Sequence, residues 1–148
     1  MVFGIIVPLT IKMYIGEKKG LYSNFDVSDQ GERKGWYFFS VALLTITVIF
    51  LFVTNQSHAV RFGFLLSALL LLSSQVVNYY IKSSLHVSFN IFLSFLVFPF
   101  NIYIATLLFL FVFVIAWSRV YLKRHTIKEV ITGAIIGTVF GLLLQIIV

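Results

Sequence analysis

The chain of 148 residues has no cysteine, only two prolines and only five acidic residues. The absence of cysteine excludes a disulfide framework and every site that needs thiolate ligands, including zinc–thiolate and iron–sulfur sites. With no thiol in the chain, three histidines remain as candidate ligands or catalysts, and these are His58, His86 and His125.

Charge of either sign is also scarce, because charged residues make up 11% of the chain while hydrophobic residues make up 60%. The mean hydropathy is +1.03. A soluble domain of this length cannot bury so much apolar surface. The composition therefore predicts an integral membrane protein.

The basic residues give the chain a formal net charge of +6. They lie at the ends of apolar runs and form no separate basic domain and no known nucleic-acid-binding motif. We therefore expect no nucleic-acid partner, and anionic membrane lipid is the expected partner of these charges.

The apolar runs predict an all-α bundle of about six transmembrane helices. The first run, from Val2 towards Ile15, is below the roughly 20 residues that a full span needs. It has no basic residue before it and no small-residue cleavage site, so we interpret it as a short or truncated helix and not as a signal peptide. The other helices are predicted at Trp36–Val53, Phe62–Ile81, Val87–Phe98, Ile102–Trp117 and from Ile127 to the C-terminus. No repeat or change in composition marks a second domain, which predicts a single domain over residues 1–148.

Six alternating crossings would place three polar segments on one side of the membrane: Gly16–Gly35, Lys82–His86 and Ser118–Glu129. Nine basic residues fall on that side, namely Lys18, Lys19, Arg33, Lys34, Lys82, Arg119, Lys123, Arg124 and Lys128. Arg61 alone falls on the other side, and Lys12 lies near the end of the first helix. The excess of positive charge predicts that the first side is cytoplasmic.

The last apolar run contains Gly133, Gly137 and Gly141, one glycine every four residues. This small-xxx-small spacing lets two helices approach closely. Packing within the chain is the favoured interpretation, and dimerisation is the alternative.

The segment from Ser118 to Glu129 sets cations, an imidazole and a carboxylate between two apolar runs. If the residues from Glu129 onward are helical, His125 and Glu129 lie one turn apart, and the carboxylate can hold the imidazole in one tautomer. Arg119 would supply planar donors for a phosphate. The alternative is a solvated connector whose basic residues anchor a helix pair at the membrane surface.

Two motifs together resemble those of the type 2 phosphatidic acid phosphatase family, which includes bacterial polyprenyl diphosphate phosphatases. One is Ser118-Arg119, five residues, His125, three residues and Glu129, where the family has Asp in place of Glu. The other is Lys82-Ser83-Ser84-Leu85-His86, which resembles a bacterial subgroup whose first and second motifs are fused. The Arg-Pro pair of the family's first motif is absent.

The resemblance implies a membrane-embedded phosphatase that needs no metal and no cofactor and acts on a lipid phosphate or isoprenoid diphosphate in a bacterial inner membrane. It implies that His125 attacks phosphorus to form a phosphohistidine, that Glu129 orients this histidine and that His86 protonates the leaving group. The phosphoryl oxygens would be held by Arg119, Lys82 and backbone groups near Ser84.

Alternatives remain at each level. The absent Arg-Pro pair leaves open a family member without catalytic activity that binds an anionic lipid headgroup or acts as a membrane scaffold. A transporter or channel is disfavoured, because the charges gather on one face and not along a pathway.

Single residues also have simpler interpretations. Lys82 would extend its ammonium group to the membrane surface, His86 would be an interfacial histidine and Ser84 would cap the fourth helix. Lys123 and Arg124 are interpreted as membrane-surface anchors. His58 is expected to be exposed and unrelated to the site.

Overall fold

The computed structural model describes residues 2–21 and 33–148. It contains the helices α1 (Val2–Lys18), α2 (Arg33–Val53), α3 (His58–Asn78), α4 (Leu85–Val97), α5 (Ile102–Tyr121) and α6 (Ile127–Ile147). The described ranges contain no strand. Within these ranges, four helical stretches are long and apolar enough to cross a membrane: Gly35–Val53, His58–Asn78, Ile102–Tyr121 and Ile127–Ile147. The prediction of an all-α membrane protein is confirmed, while most of the predicted Gly16–Gly35 loop lies outside the described residues.

The helix α3 begins and ends earlier than the predicted span Phe62–Ile81. The polar residues that were assigned to the preceding turn have aromatic partners, since the His58 ring lies 4.3 Å from that of Phe62. The guanidinium of Arg61 lies 5.3 Å from the Phe52 ring centre. These contacts keep polar side chains in the first turn of a helix that hydropathy alone would start later.

The helix α5 continues beyond its predicted end at Trp117 and stops at Tyr121. The rings of Trp117 and Tyr121 stack 5.1 Å apart, one helical turn from each other. Because of this extra turn, Arg119 is helical and its backbone carbonyl becomes an acceptor at the helix end.

The short helix α4 lies between three neighbours and forms the centre of the bundle. Val87 and Ile91 pack with Val112 of α5. On another face, Phe92 packs with Leu70 of α3 and with residues of α6. A helix of 13 residues is shorter than the roughly 20 residues of a typical span, and here other helices cover most of its apolar side chains, with Leu93 exposed.

The helices α4 and α6 approach so closely that side chains between them are excluded. A Cβ atom at Gly133 would lie 2.6 Å from the backbone oxygen of Ser84, and one at Gly137 would lie 2.5 Å from that of Ser88. At Gly141 a Cβ would meet the Phe95 ring. The glycine row therefore packs within the chain as predicted, and it holds the first turn of α6 against the start of α4.

Candidate active site

The turn between α5 and α6 reverses the direction of the chain and contains the basic residues Lys123 and Arg124. Lys123 has a left-handed backbone with φ +52°, which is typical of the residue just after a helix end. The N–H groups of Arg124 and His125 both donate to the carbonyl oxygen of Arg119, at 3.0 and 3.1 Å. This turn fixes the backbone of His125 directly after the end of α5.

His125 and Glu129 form a hydrogen-bonded pair. The distance from His125 Nδ1 to Glu129 Oε2 is 2.9 Å, and the side chains are 1% and 18% exposed. The residues from Glu129 onward are helical, but α6 begins at Ile127, so His125 precedes the N-cap residue Thr126 and is not itself helical. A carboxylate that accepts from Nδ1–H leaves the lone pair on Nε2.

The same carboxylate also caps α6. Its Oε2 accepts from the backbone N–H of Thr126 at 3.2 Å, and the backbone N–H of Glu129 donates to Thr126 Oγ1 at 3.4 Å. This reciprocal arrangement is a capping box, which uses Glu or Gln at the third helical position. Glu129, where the resembling motif has Asp, therefore fixes the helix start and the imidazole together.

The connection between α3 and α4 is bonded to the turn between α5 and α6. Lys82 Nζ donates to the carbonyl oxygen of Arg124 at 2.8 Å. The backbone N–H of Ser84 donates to the carbonyl oxygen of Glu129 at 3.1 Å. Two of the three segments predicted to share one side, Lys82–His86 and Ser118–Glu129, therefore lie together, while most of the third, Gly16–Gly35, lies outside the described residues.

An open pocket of about 290 Å³ lies at this junction. It is lined by Lys82, Val120, Lys123, Arg124, His125, Thr126 and Glu129. Three cations and one carboxylate give the lining a net charge of +2 with His125 neutral. The carboxylate is already engaged by His125 and Thr126, so the pocket favours an anion.

Three of the residues that sequence reasoning selected are not among those lining the pocket. Ser84 is fully buried at the N-cap position of α4, and its hydroxyl makes no capping hydrogen bond, so the interpretation of this side chain as a cap is wrong. Arg119 is half-buried in the last turn of α5. His86 is exposed in the first turn of α4, and its carbonyl oxygen accepts from Asn90 Nδ2 at 2.7 Å.

The chemistry of the lining favours anions over cations. Among residues 2–21 and 33–148, no group of three His, Cys, Asp or Glu side chains is placed to hold a metal ion. His58 is exposed on its own helix, α3.

Comparison with known proteins does not assign the chain to a family. No family model, curated protein sequence or solved structure matches the chain. The pocket and its hydrogen bonds are therefore the basis for any functional conclusion.

Sequence reasoning missed two features of the site. The first is the cap, although the pattern Thr126-x-x-Glu129 is itself a capping-box signature that the sequence displays. The second is the place of Lys123 and Arg124 in the pocket lining. No local pattern indicates this, because it depends on the left-handed turn at Lys123 and on the bond from Lys82.

Proposed function

We propose that the chain is a membrane-embedded, metal-independent phosphatase that hydrolyses a lipid phosphate or isoprenoid diphosphate through a phosphohistidine. The observation that carries the proposal is the 2.9 Å hydrogen bond between His125 Nδ1 and Glu129 in a pocket that three cations line. An oriented nucleophile beside a cluster of positive charge is what phosphoryl transfer requires, because its catalysis is mostly positioning and electrostatic stabilisation.

In this mechanism the Nε2 lone pair of His125 attacks phosphorus. The N–P bond forms as the P–O bond to the leaving group breaks, and the electron pair of that bond departs on the oxygen. Glu129 keeps the proton on Nδ1 and stabilises the positive charge that develops on the ring. Water then attacks the phosphohistidine, which releases inorganic phosphate and restores the imidazole.

The roles of the remaining residues follow from the resemblance. Arg119 directly precedes the lining residue Val120, and the backbone N–H of Ser84 donates to the carbonyl oxygen of the lining residue Glu129. They would hold phosphoryl oxygens together with Lys82. His86 would protonate the leaving group.

The proposal includes six membrane crossings by one domain in a bacterial inner membrane. Support for a crossing by α4 comes from its contacts with α6, which run from Ser84 at one end to Phe95 near the other. At about 1.5 Å per residue, a helix of 13 residues is roughly 20 Å long, so the proposed crossing would also include the turn that leads to Asn101. The helix α5 then returns the chain to the pocket.

The decisive variant is His125→Ala in detergent-purified protein with a chelator present. Phosphate release from phosphatidic acid, phosphatidylglycerophosphate and polyprenyl diphosphate is compared with that of the wild type. We expect release to fall to background, because the attacking nitrogen is gone. His58→Ala is the matched control and should retain wild-type turnover. Unchanged turnover in a folded His125→Ala protein would reject the mechanism.

A second candidate is a protein that binds an anionic lipid headgroup without hydrolysing it. The specific observation in its favour is that His86, the expected proton donor, is exposed and is not among the residues that line the pocket. Lipid binding that depends on Lys82 and Arg119, with no phosphate release from any of the three substrates, would favour this candidate.

A further inference from the structure

The pocket lining contains two cations besides Lys82, the lining cation that the proposed function assigns to the transferred phosphoryl group. In the proposed function, Lys82 and Arg119 serve that group. Lys123 and Arg124 have no role in that assignment, although both line the pocket together with His125. Among the described residues, no carboxylate forms an ion pair with Lys123.

Lys123 has a backbone conformation that is uncommon for a residue with a long side chain. Its φ is +52°, and glycine is the usual residue at such a position. This chain has a lysine there, and the lysine lines the pocket.

The pocket is also larger than one phosphoryl group. Its volume of about 290 Å³ equals the space of roughly ten water molecules. A second phosphoryl group bonded to the first would fit in the remaining space, next to the two additional cations.

The proposed function assigns protonation of the leaving group to His86, but the exposed position of His86 favours a leaving group that needs no proton donor, so the diphosphate substrate replaces this role. An alkoxide is strongly basic and needs a proton donor, whereas a phosphate group with a second pKa of about 6 departs as an anion. His86 is exposed outside the pocket lining, while cations line the pocket. These positions suit a phosphate leaving group that positive charge stabilises.

We propose that Lys123 and Arg124 form a second anion subsite beside His125, and that the substrate is a lipid diphosphate whose inner phosphoryl group occupies this subsite. This inference rests on the proposed function. The bond from Nε2 to the outer phosphorus forms as the bridging P–O bond breaks, and the electron pair stays on the bridging oxygen of a departing lipid monophosphate. Water then supplies the oxygen that releases inorganic phosphate, and one proton passes to the solvent.

The test uses the full chain in detergent with chelator, and it compares an isoprenyl diphosphate with the isoprenyl monophosphate of the same chain length. The variant is Lys123→Gly, because glycine adopts the left-handed backbone and only the charged side chain is lost. We expect kcat/KM for the diphosphate to fall about tenfold or more, as for loss of a charged hydrogen bond. The value for the monophosphate should change by less than about twofold, and Lys123→Arg should retain diphosphate turnover.

Two control variants separate charge in the pocket from other effects. Asn55→Gly makes the same kind of change at another non-glycine residue with a left-handed backbone, φ +50°, in the turn between α2 and α3. Lys128→Gln removes a charge from an exposed lysine of α6 that is not among the pocket residues. Both should keep the wild-type ratio of diphosphate to monophosphate turnover. An equal loss for both substrates in Lys123→Gly, or the same loss in Lys128→Gln, would overturn the subsite in favour of membrane anchoring.

Binding separates the subsite from the phosphatase activity. The probes are a non-hydrolysable isoprenyl methylenediphosphonate and the matching monophosphonate, titrated into wild type and Lys123→Gly. The wild type should bind the diphosphonate more tightly, and the variant should lose that preference. Equal binding of the two probes by the wild type would overturn the subsite. Preferential binding without turnover of either substrate would support the subsite and reject the phosphatase.

Discussion

At the scale of single residues, one oxygen atom of Glu129 serves two partners. Its Oε2 accepts from His125 Nδ1 and from the backbone N–H of Thr126. The first hydrogen bond fixes the tautomer of the imidazole and stabilises positive charge on it. The second stabilises the start of α6. The two roles differ in what they require of the side chain. A neutral glutamine amide can also form the capping box, whereas stabilisation of a cationic imidazole needs the negative charge of a carboxylate.

Glu129→Gln should therefore separate activity from stability. Glutamine also forms a capping box, so the thermal midpoint of unfolding should stay close to that of the wild type. The turnover number should fall by roughly 100-fold, because the charge that supports His125 is lost. Wild-type turnover in this variant would show that the carboxylate charge does not support catalysis.

Thr126→Ala is the complementary variant. Loss of the N-cap hydroxyl should lower the free energy of unfolding by about 1 kcal/mol, while the Glu129 carboxylate remains next to His125. Denaturant or thermal unfolding in detergent measures the first effect, and phosphate release measures the second. A larger loss of turnover here than in Glu129→Gln would contradict the assignment of the two roles.

At the scale of helices, the contact between α4 and α6 positions the site. Gly133 lies against the backbone of Ser84, whose N–H donates to the carbonyl oxygen of Glu129. Rigid backbone atoms cannot move aside as the end of a flexible side chain can. The spacing of these two helices therefore sets the position of Lys82 and Ser84 relative to His125.

Gly133→Ala should disturb both the fold and the site. The added methyl group would lie 2.6 Å from the Ser84 oxygen, and overpacking of this kind costs about 1–3 kcal/mol in the free energy of unfolding. Phosphate release should fall as well, since α4 must shift away from α6. Unfolding curves and turnover of the purified variant measure the two effects.

Gly35→Ala is the matched control for the same substitution. A Cβ atom at Gly35 meets no atom within 4 Å, so alanine should stabilise α2 by up to about 1 kcal/mol through its higher helix propensity. Its turnover should be that of the wild type. If both alanine variants behaved alike, close packing at Gly133 would not be the cause of the effect.

At the scale of the whole molecule, the charge distribution predicts which way the bundle lies in the membrane. Nine basic residues were assigned to the side that carries the pocket, against Arg61 on the other side. Basic residues remain preferentially on the cytoplasmic side of a membrane. The pocket should therefore face the cytoplasm, and the C-terminus at Val148 should lie on the opposite side.

Reporter fusions after Val148 test this orientation. A reporter that is active only outside the cytoplasm should give a signal, and one that fluoresces only in the cytoplasm should not. The same pair of reporters inserted at Gln56, in the turn between α2 and α3, should give the same result. The reverse pattern at both sites would place the pocket outside the cytoplasm.

Much of the fold could be predicted because hydropathy is a local property. Each of the six apolar runs corresponds to a helix in the described residues, with boundaries that differ by up to four residues. The two largest differences occur where a side-chain contact outweighs polarity. His58 stacks on Phe62 and extends α3 at its start, and Tyr121 stacks on Trp117 at the end of α5. Pairing of side chains within a helix is the physical reason for both differences.

The sequence by itself determined the membrane class and the pairing of His125 with Glu129, because both depend on residues that are close along the chain. Only the tertiary structure decided which other residues join them. The bond from Lys82 to the Arg124 carbonyl spans 42 residues, and the left-handed backbone at Lys123 directs that lysine to the pocket lining. His86 lies in the first turn of α4 outside this lining. Such positions depend on the close glycine contact between α4 and α6, which arises only when distant segments pack together.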